Sequence, residues 1–147
     1  LASENDIKSF SMTGQRRDLN REKFKFEKLS SVFKNPESYA NKNLKYLKHA
    51  MDIRADLKPF HPQSEMQCLS KGRGDIVVIK RASDTKVVFT IHNMTANKIN
   101  YRFNDKDLPQ INKNELTMYD HLTSNKFNFN NIELDPFQVI WLGFLDD

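Results

Sequence analysis

Asp120-His121, followed by Thr123 and Ser124, puts a carboxylate, an imidazole and two hydroxyls in one short stretch, the groups that acyl transfer uses. That chemistry needs its hydroxyl nucleophile presented on a sharp turn, and the chain has no Gly-x-Ser-x-Gly sequence, so a Ser-His-Asp site is not supported. Glycoside chemistry needs two carboxylates ~5–9 Å apart in a sugar-binding cleft. No local spacing sets up such a pair. His49, His61, His92 and His121 are spread without metal-ligand spacing, so no metal is expected, and the single cysteine, Cys68, has no internal disulfide partner. Gly72-Arg73-Gly74 lacks the spacing and the Lys-Ser/Thr of a phosphate loop and reads as a tight connection before a strand.

Residues 15–25 carry five basic groups in eleven positions, the density that phosphate neutralisation would use. Asp18 and Glu22 interrupt the field, which reads as a solvated helix terminus, and nucleic acid is not an expected partner. Were it one, affinity would depend steeply on salt. Asn93-Met94-Thr95 matches the glycosylation sequon, a short pattern met often by chance. Trp141 lies in an apolar strand and reads as core packing.

The elements that would position these groups fall into two regimes meeting near residue 60. Lys58-Pro59-Phe60-His61-Pro62 marks the boundary, because two prolines three apart stop a helix and favour an extended connector. Before it, Asp18 or Asn20 can cap a first helix over about 18–34, with Phe24, Phe26, Leu29, Val32 and Phe33 on its apolar side. Asn35-Pro36 then ends that helix and opens a second over about 36–57, where Ala40, Leu44, Leu47, Met51 and Leu57 recur at helical intervals. After the boundary the period becomes 2. Residues 75–81 and 86–92 flank a four-residue hairpin connection, and further strands are expected at 98–103, 117–119, 126–134 and 137–142. Short strands with polar turns imply an antiparallel sheet or sandwich.

The 147 residues suffice for one domain or one and a half. Hydrophobic residues make up only 38%, mean hydropathy is −0.70, and a net charge of +4 with a pI of about 9.1 is mildly basic. No apolar run reaches the ~18 residues of a membrane-spanning helix, and the first residues lack the apolar stretch of a signal peptide. A soluble, cytoplasmic protein with no membrane partner is expected. The absence of an initiating Met adds the expectation of a piece of something longer.

Several phrases together fit one family. Asn5-Asp6, then Thr13-Gly14-Gln15-Arg16-Arg17-Asp18-Leu19-Asn20-Arg21, resembles the loop after the last barrel strand in sucrose phosphorylases and related glycoside phosphorylases of the α-amylase superfamily (glycoside hydrolase family 13). Leu47–Leu57 followed by Pro59-Phe60-His61-Pro62 is similar to their final barrel helix and its exit. His92-Asn93-Met94-Thr95, Tyr119-Asp120-His121-Leu122-Thr123 and Leu134-Asp135-Pro136-Phe137-Gln138-Val139-Ile140-Trp141-Leu142 resemble, in order, a strand end, a turn and a strand of their C-terminal domain. The match runs across essentially the whole chain, although the chain is shorter than the family by several hundred residues.

The resemblance implies an α+β fragment: the last helices of a (β/α)8 barrel followed by an all-β antiparallel C-terminal domain. Residues 1–60 would be the end of the catalytic barrel, with 1–21 as an active-site loop, and 61–147 a β-sandwich. The family uses an aspartate nucleophile and a glutamate acid/base to form a glucosyl-enzyme that phosphate then accepts. Both lie on earlier barrel strands, so no catalytic residue and no cofactor are expected here. Arg17 matches the family arginine that contacts the outer hydroxyls of the glucosyl unit, a role suited to the planar donors of a guanidinium. The alternative is a surface arginine, or an ion pair with Asp18 that fixes the loop. Arg16, Asp18, Asn20 and Arg21 would hold the loop's shape. Phe137 in place of the commoner Tyr, and Gln15-Arg16 in the spacer, depart from the family pattern. The implied partners are the missing barrel portion and, in the intact enzyme, an α-glucoside and phosphate, with a homodimer as a further arrangement. The alternative reading is a free-standing β-sheet module that binds carbohydrate or a protein partner and carries a helical arm.

Overall fold

In the computed structural model the described residues are 4–15, 25–108 and 117–144. They form three α-helices, α1 (Glu4–Thr13), α2 (Phe26–Lys34) and α3 (Tyr39–Asp56), a 3-10 turn at Lys58–Phe60, and eight strands. The strands are β1 (Glu65–Cys68), β2 (Ile76–Ala82), β3 (Val87–Asn93), β4 (Ile99–Tyr101), β5 (Thr117–Asp120), β6 (Lys126–Asn128), β7 (Ile132–Leu134) and β8 (Val139–Phe144). The chain divides into two units, Leu1–Leu47 and Lys48–Asp147. The division expected at residue 60 marks the change of period. Compaction divides the chain earlier, because residues 48–60 make their contacts within the second unit.

In the first unit, the stretch expected as an active-site loop over 1–21 is helical over Glu4–Thr13. No glycine or proline interrupts it, and it ends where Gly14, at φ 66°, donates its N–H to the Phe10 carbonyl. The expected caps Asp18 and Asn20, and Phe24, lie outside the described residues. Asn35 closes α2 rather than opening α3, its N–H bonding to the Ser31 carbonyl. The cap of α3 is Ser38, whose Oγ accepts the Asn41 N–H at 3.1 Å. Ser38 Oγ also donates to the Val32 carbonyl at 2.6 Å, joining the two helix ends through one hydroxyl.

In the second unit the larger sheet runs β1-β2-β3-β8-β5-β6, antiparallel throughout, and β4 pairs with β7 in a smaller antiparallel sheet. The β2–β3 hairpin forms where residues 75–81 and 86–92 were expected, each strand one residue later, because both segments are rich in β-branched residues. Residues 126–134, expected as one strand, split into β6 and β7 in different sheets. Asn128 makes the break: its side chain accepts the Asn130 N–H and its carbonyl the Asn131 N–H. β1 was not foreseen, since Glu-Met-Gln-Cys is short, has no β-branched or aromatic residue, and is exposed at all four positions.

One face of the larger sheet meets the smaller sheet over a continuous core. Ile76, Val78, Phe89, Ile91, Met118, Ile140 and Leu142 come from the first sheet, and Tyr101, Ile132 and Leu134 from the second. Phe103 fills the space between, its ring 4.6 Å from Phe89 and 5.1 Å from Tyr101. Each such aliphatic or aromatic side chain contributes about 1.5–3 kcal/mol on burial. β3 is buried on both faces, so the opposite side of the sheet, with Val88, Thr90 and Gly143, needs a cover of its own.

Candidate functional site

Arg17, proposed to touch substrate, and Arg16, Asp18, Asn20 and Arg21, proposed to shape its loop, lie outside the described residues. The residues of the other family-like phrases are described, and each proves to be a structural tie.

Asp120 is fully buried at the end of β5, and both carboxylate oxygens are occupied. Oδ1 accepts the Trp141 N–H at 2.7 Å and the Leu122 N–H at 3.2 Å, while Oδ2 accepts the Thr123 hydroxyl at 2.7 Å. The three bonds tie the carboxylate to its own turn and to β8, the use of a structural aspartate. The Asp120-His121 stretch is a turn that fastens β5 to β8. Asn93 is buried likewise. Its amide donates to the Asn97 and Asp135 carbonyls at 2.7 and 2.8 Å and its oxygen accepts from the Thr95 N–H and hydroxyl, so the sequon nitrogen is fully used within the fold. Around it, Gln138 Oε1 accepts the Asp135 N–H and the Thr95 carbonyl accepts the Phe137 N–H. This over-determined turn holds Phe137 at φ 55°.

The second face of the sheet is covered by the connector after α3. Pro59 is fully buried, the Phe60 ring lies 4.7 Å from Trp141, and Arg81 on β2 donates from Nε to the Pro59 carbonyl at 2.7 Å. Trp141 is thus packed, as its apolar strand suggested. Nothing in the sequence singled out Arg81. The signal was a pair of adjacent cations, Lys80 and Arg81, closing a run of β-branched residues, and it does not say which of the two is used. Beside this knot the end of α3, the connector and the β2–β3 turn enclose a groove of about 820 Å³. Its charged groups, Arg54, Asp56, Lys58, Glu65 and Asp84, are of both signs and all exposed, so it has neither a desolvated acid nor a field of one sign.

Among the described residues five groups have displaced protonation equilibria: the paired Arg73 and Asp75, Lys98, which its bonds to Glu133 and Asp135 push up, Tyr101 and His92. The Arg73 guanidinium, bonded to Asp75, holds that carboxyl below its usual value. Burial pushes the Tyr101 phenol up, with the Asp107 charge adding to it, and burial pushes the His92 imidazole down. They are dispersed over different strands and loops and form no catalytic set. Among the described residues no cluster of His, Cys, Asp and Glu could hold a metal ion, and no helix is long and apolar enough to cross a membrane.

The helices differ from the sheets. Neither α2 nor α3 has a buried residue. Phe26 is 79% exposed, Leu44 51%, Leu47 57% and Met51 67%, so side chains at helical spacing that should face a neighbour face solvent.

No protein-family model matches the chain, and neither does any curated protein sequence. Solved structures do. An Anoxybacillus α-amylase superposes with a TM-score of 0.62 at 14% identity, covering 77% of this chain and 24% of the amylase. Trehalose-6-phosphate hydrolase of Bacillus licheniformis gives 0.56 at 12% identity, covering 80% of this chain and 20% of the hydrolase. The trehalulose synthase MutB gives 0.59 at 11%, covering 79% and 20%. This chain therefore spans between 20% and 24% of the length of the enzymes it resembles. Its helices and antiparallel β domain share the fold of part of these enzymes.

Proposed function

We propose that the chain is the C-terminal segment of a retaining glycoside phosphorylase, which moves a glucosyl unit from sucrose or a related α-glucoside to phosphate in the cytoplasm, and that it has no activity without the barrel. The observation that carries this reading is a superfamily fold spanning under a quarter of the related enzymes' length. The exposed apolar residues of α2 and α3 support it, since they leave a partner's place open. The ordered phrases support phosphorolysis over hydrolysis, because the Gly14 to Arg21 sequence resembles the phosphorylase loop. In that enzyme an aspartate of the barrel displaces the leaving alkoxide from the anomeric carbon while a glutamic acid protonates it. Phosphate oxygen then displaces the aspartate and restores both carboxyls. Arg17 grips the outer hydroxyls of the glucosyl unit throughout.

The test supplies the isolated 147 residues, and the same chain mixed with the preceding barrel portion, with an α-glucoside and phosphate. The expected result is glucose 1-phosphate only from the mixture. Arg17→Ala in the mixture should lower kcat/KM by about 10- to 100-fold, the value of one or two charge-assisted hydrogen bonds. Turnover by the chain alone would refute the claim of incompleteness. Release of free glucose by the mixture, with phosphate ignored, would refute phosphorolysis while keeping the superfamily.

A further inference from the structure

Arg81 makes more contacts than a strand cation needs. Its Nε donates to the Pro59 carbonyl at 2.7 Å and its Nη2 to the His61 carbonyl at 3.0 Å, so one planar fork holds both sides of the 3-10 turn. The same guanidinium lies 5.8 Å from the centroid of the Phe60 ring, and that ring rests on Trp141. Pro59 beneath is fully buried. The turn begins two residues after α3 ends, so whatever fixes the turn fixes the end of the helix. Seven residues before that end, His49 Nε2 bonds to the Leu122 carbonyl at 2.9 Å. Between the two attachments Ala50, Ile53 and Leu57 are only half-buried.

Most of a helix's stability in a protein comes from packing rather than from propensity, and α3 has no buried residue to supply it. The second half of α3 must therefore draw its order from its attachments to the sheet. The sheet does not draw its order from the helix in return. Its core cluster lies on the opposite face, and no residue of 48–60 belongs to it.

We propose that the Arg81 fork and the Phe60–Trp141 stack form a latch that docks residues 48–57 on the sheet, and that opening it releases this half of α3 while the sheet stays folded. The β domain thereby presents a preformed helix end, whatever partner covers it, so the proposal stands or falls separately from the phosphorylase reading.

Hydrogen exchange on the 147-residue chain, followed by mass spectrometry of its peptides, tests it. In Arg81→Ala, peptides spanning 48–57 should exchange at least about tenfold faster, while those spanning 87–93 and 139–144 keep their rates. Arg81→Lys keeps the charge without the fork and should fall between the two. His49→Ala should accelerate the helix peptides at the other attachment and leave the sheet unchanged. Unchanged protection of 48–57 in Arg81→Ala overturns the proposal. So does equal loosening, or loss, of protection in the β3 and β8 peptides, which would make Arg81 a general support of the sheet.

Discussion

A glycine in the middle of a strand is unfavourable unless something occupies the space its side chain would take, and at Gly143 that something is the His121 ring. A Cβ there would overlap Nε2, and the imidazole is confined by the His121 N–H bond to the Trp141 carbonyl and by the Tyr119 ring 4.5 Å away. Gly143→Ala should cost about 1–3 kcal/mol, the range for overpacking, read as a lowered denaturant midpoint. Pairing it with His121→Ala should return most of the loss, a coupling that two independent defects would not show. His92 makes the second prediction at this scale. Burial lowers its folded pKa below the 6.5 of the unfolded chain, so on acidification the unfolded chain takes the proton first. Its contribution is full above pH 6.5, falls as pH drops from there toward the folded pKa, and is constant below that. Midpoints measured at about pH 7.5 and about pH 5 should therefore fall for the native sequence and change less in His92→Gln. An equal fall in the variant would place the acid sensitivity elsewhere.

At the scale of elements, what was legible depended on whether one element's own residues determined it. The β2–β3 hairpin announced itself through two β-branched runs flanking a polar turn, and α3 through its spacing. The split of residues 126–134 did not, because it follows from which sheet each half joins, and neither did β1, which is a strand only because β2 offers it an edge. α1 was hidden by a resemblance that named its residues a loop and by Ile7, Phe10 and Met12, whose spacing gives no continuous stripe. Of the candidate site, Arg17 was legible as a motif position, whereas Arg81 was not, since its role depends on a connector twenty residues away in sequence. The cap of α3 shows the same dependence. Asn35-Pro36 is the stronger local signal, yet Ser38 takes the position because its hydroxyl also reaches the end of α2. Ser38→Ala should remove about 1 kcal/mol and reduce helical signal in far-ultraviolet circular dichroism. Ser38→Asp, which can accept from Asn41 but cannot donate to Val32, should recover only part of it. Full recovery would reduce Ser38 to a simple cap.

On the scale of the whole molecule, two kinds of surface coexist on one chain. The β domain closes its core with its own residues, as a self-sufficient domain does, while the helices carry apolar side chains that are more than a third exposed. A helix selected for solvent would place lysine or glutamate at Leu44, Leu47 and Met51, since each exposed leucine gains nothing from burial and invites association. Replacing the three by glutamine separates the two accounts. If their neighbours belong to the barrel of the proposed phosphorylase, the isolated chain should change stability by no more than about 0.5 kcal/mol per site and bind less of a hydrophobic dye, whereas buried positions would lose about 2–5 kcal/mol each. The same triple variant, mixed with the barrel portion, should then fail to restore activity, because the side chains dispensable for folding alone are those the assembly buries. A variant that is stable by itself and fully active in the mixture would show that these residues wait for no partner.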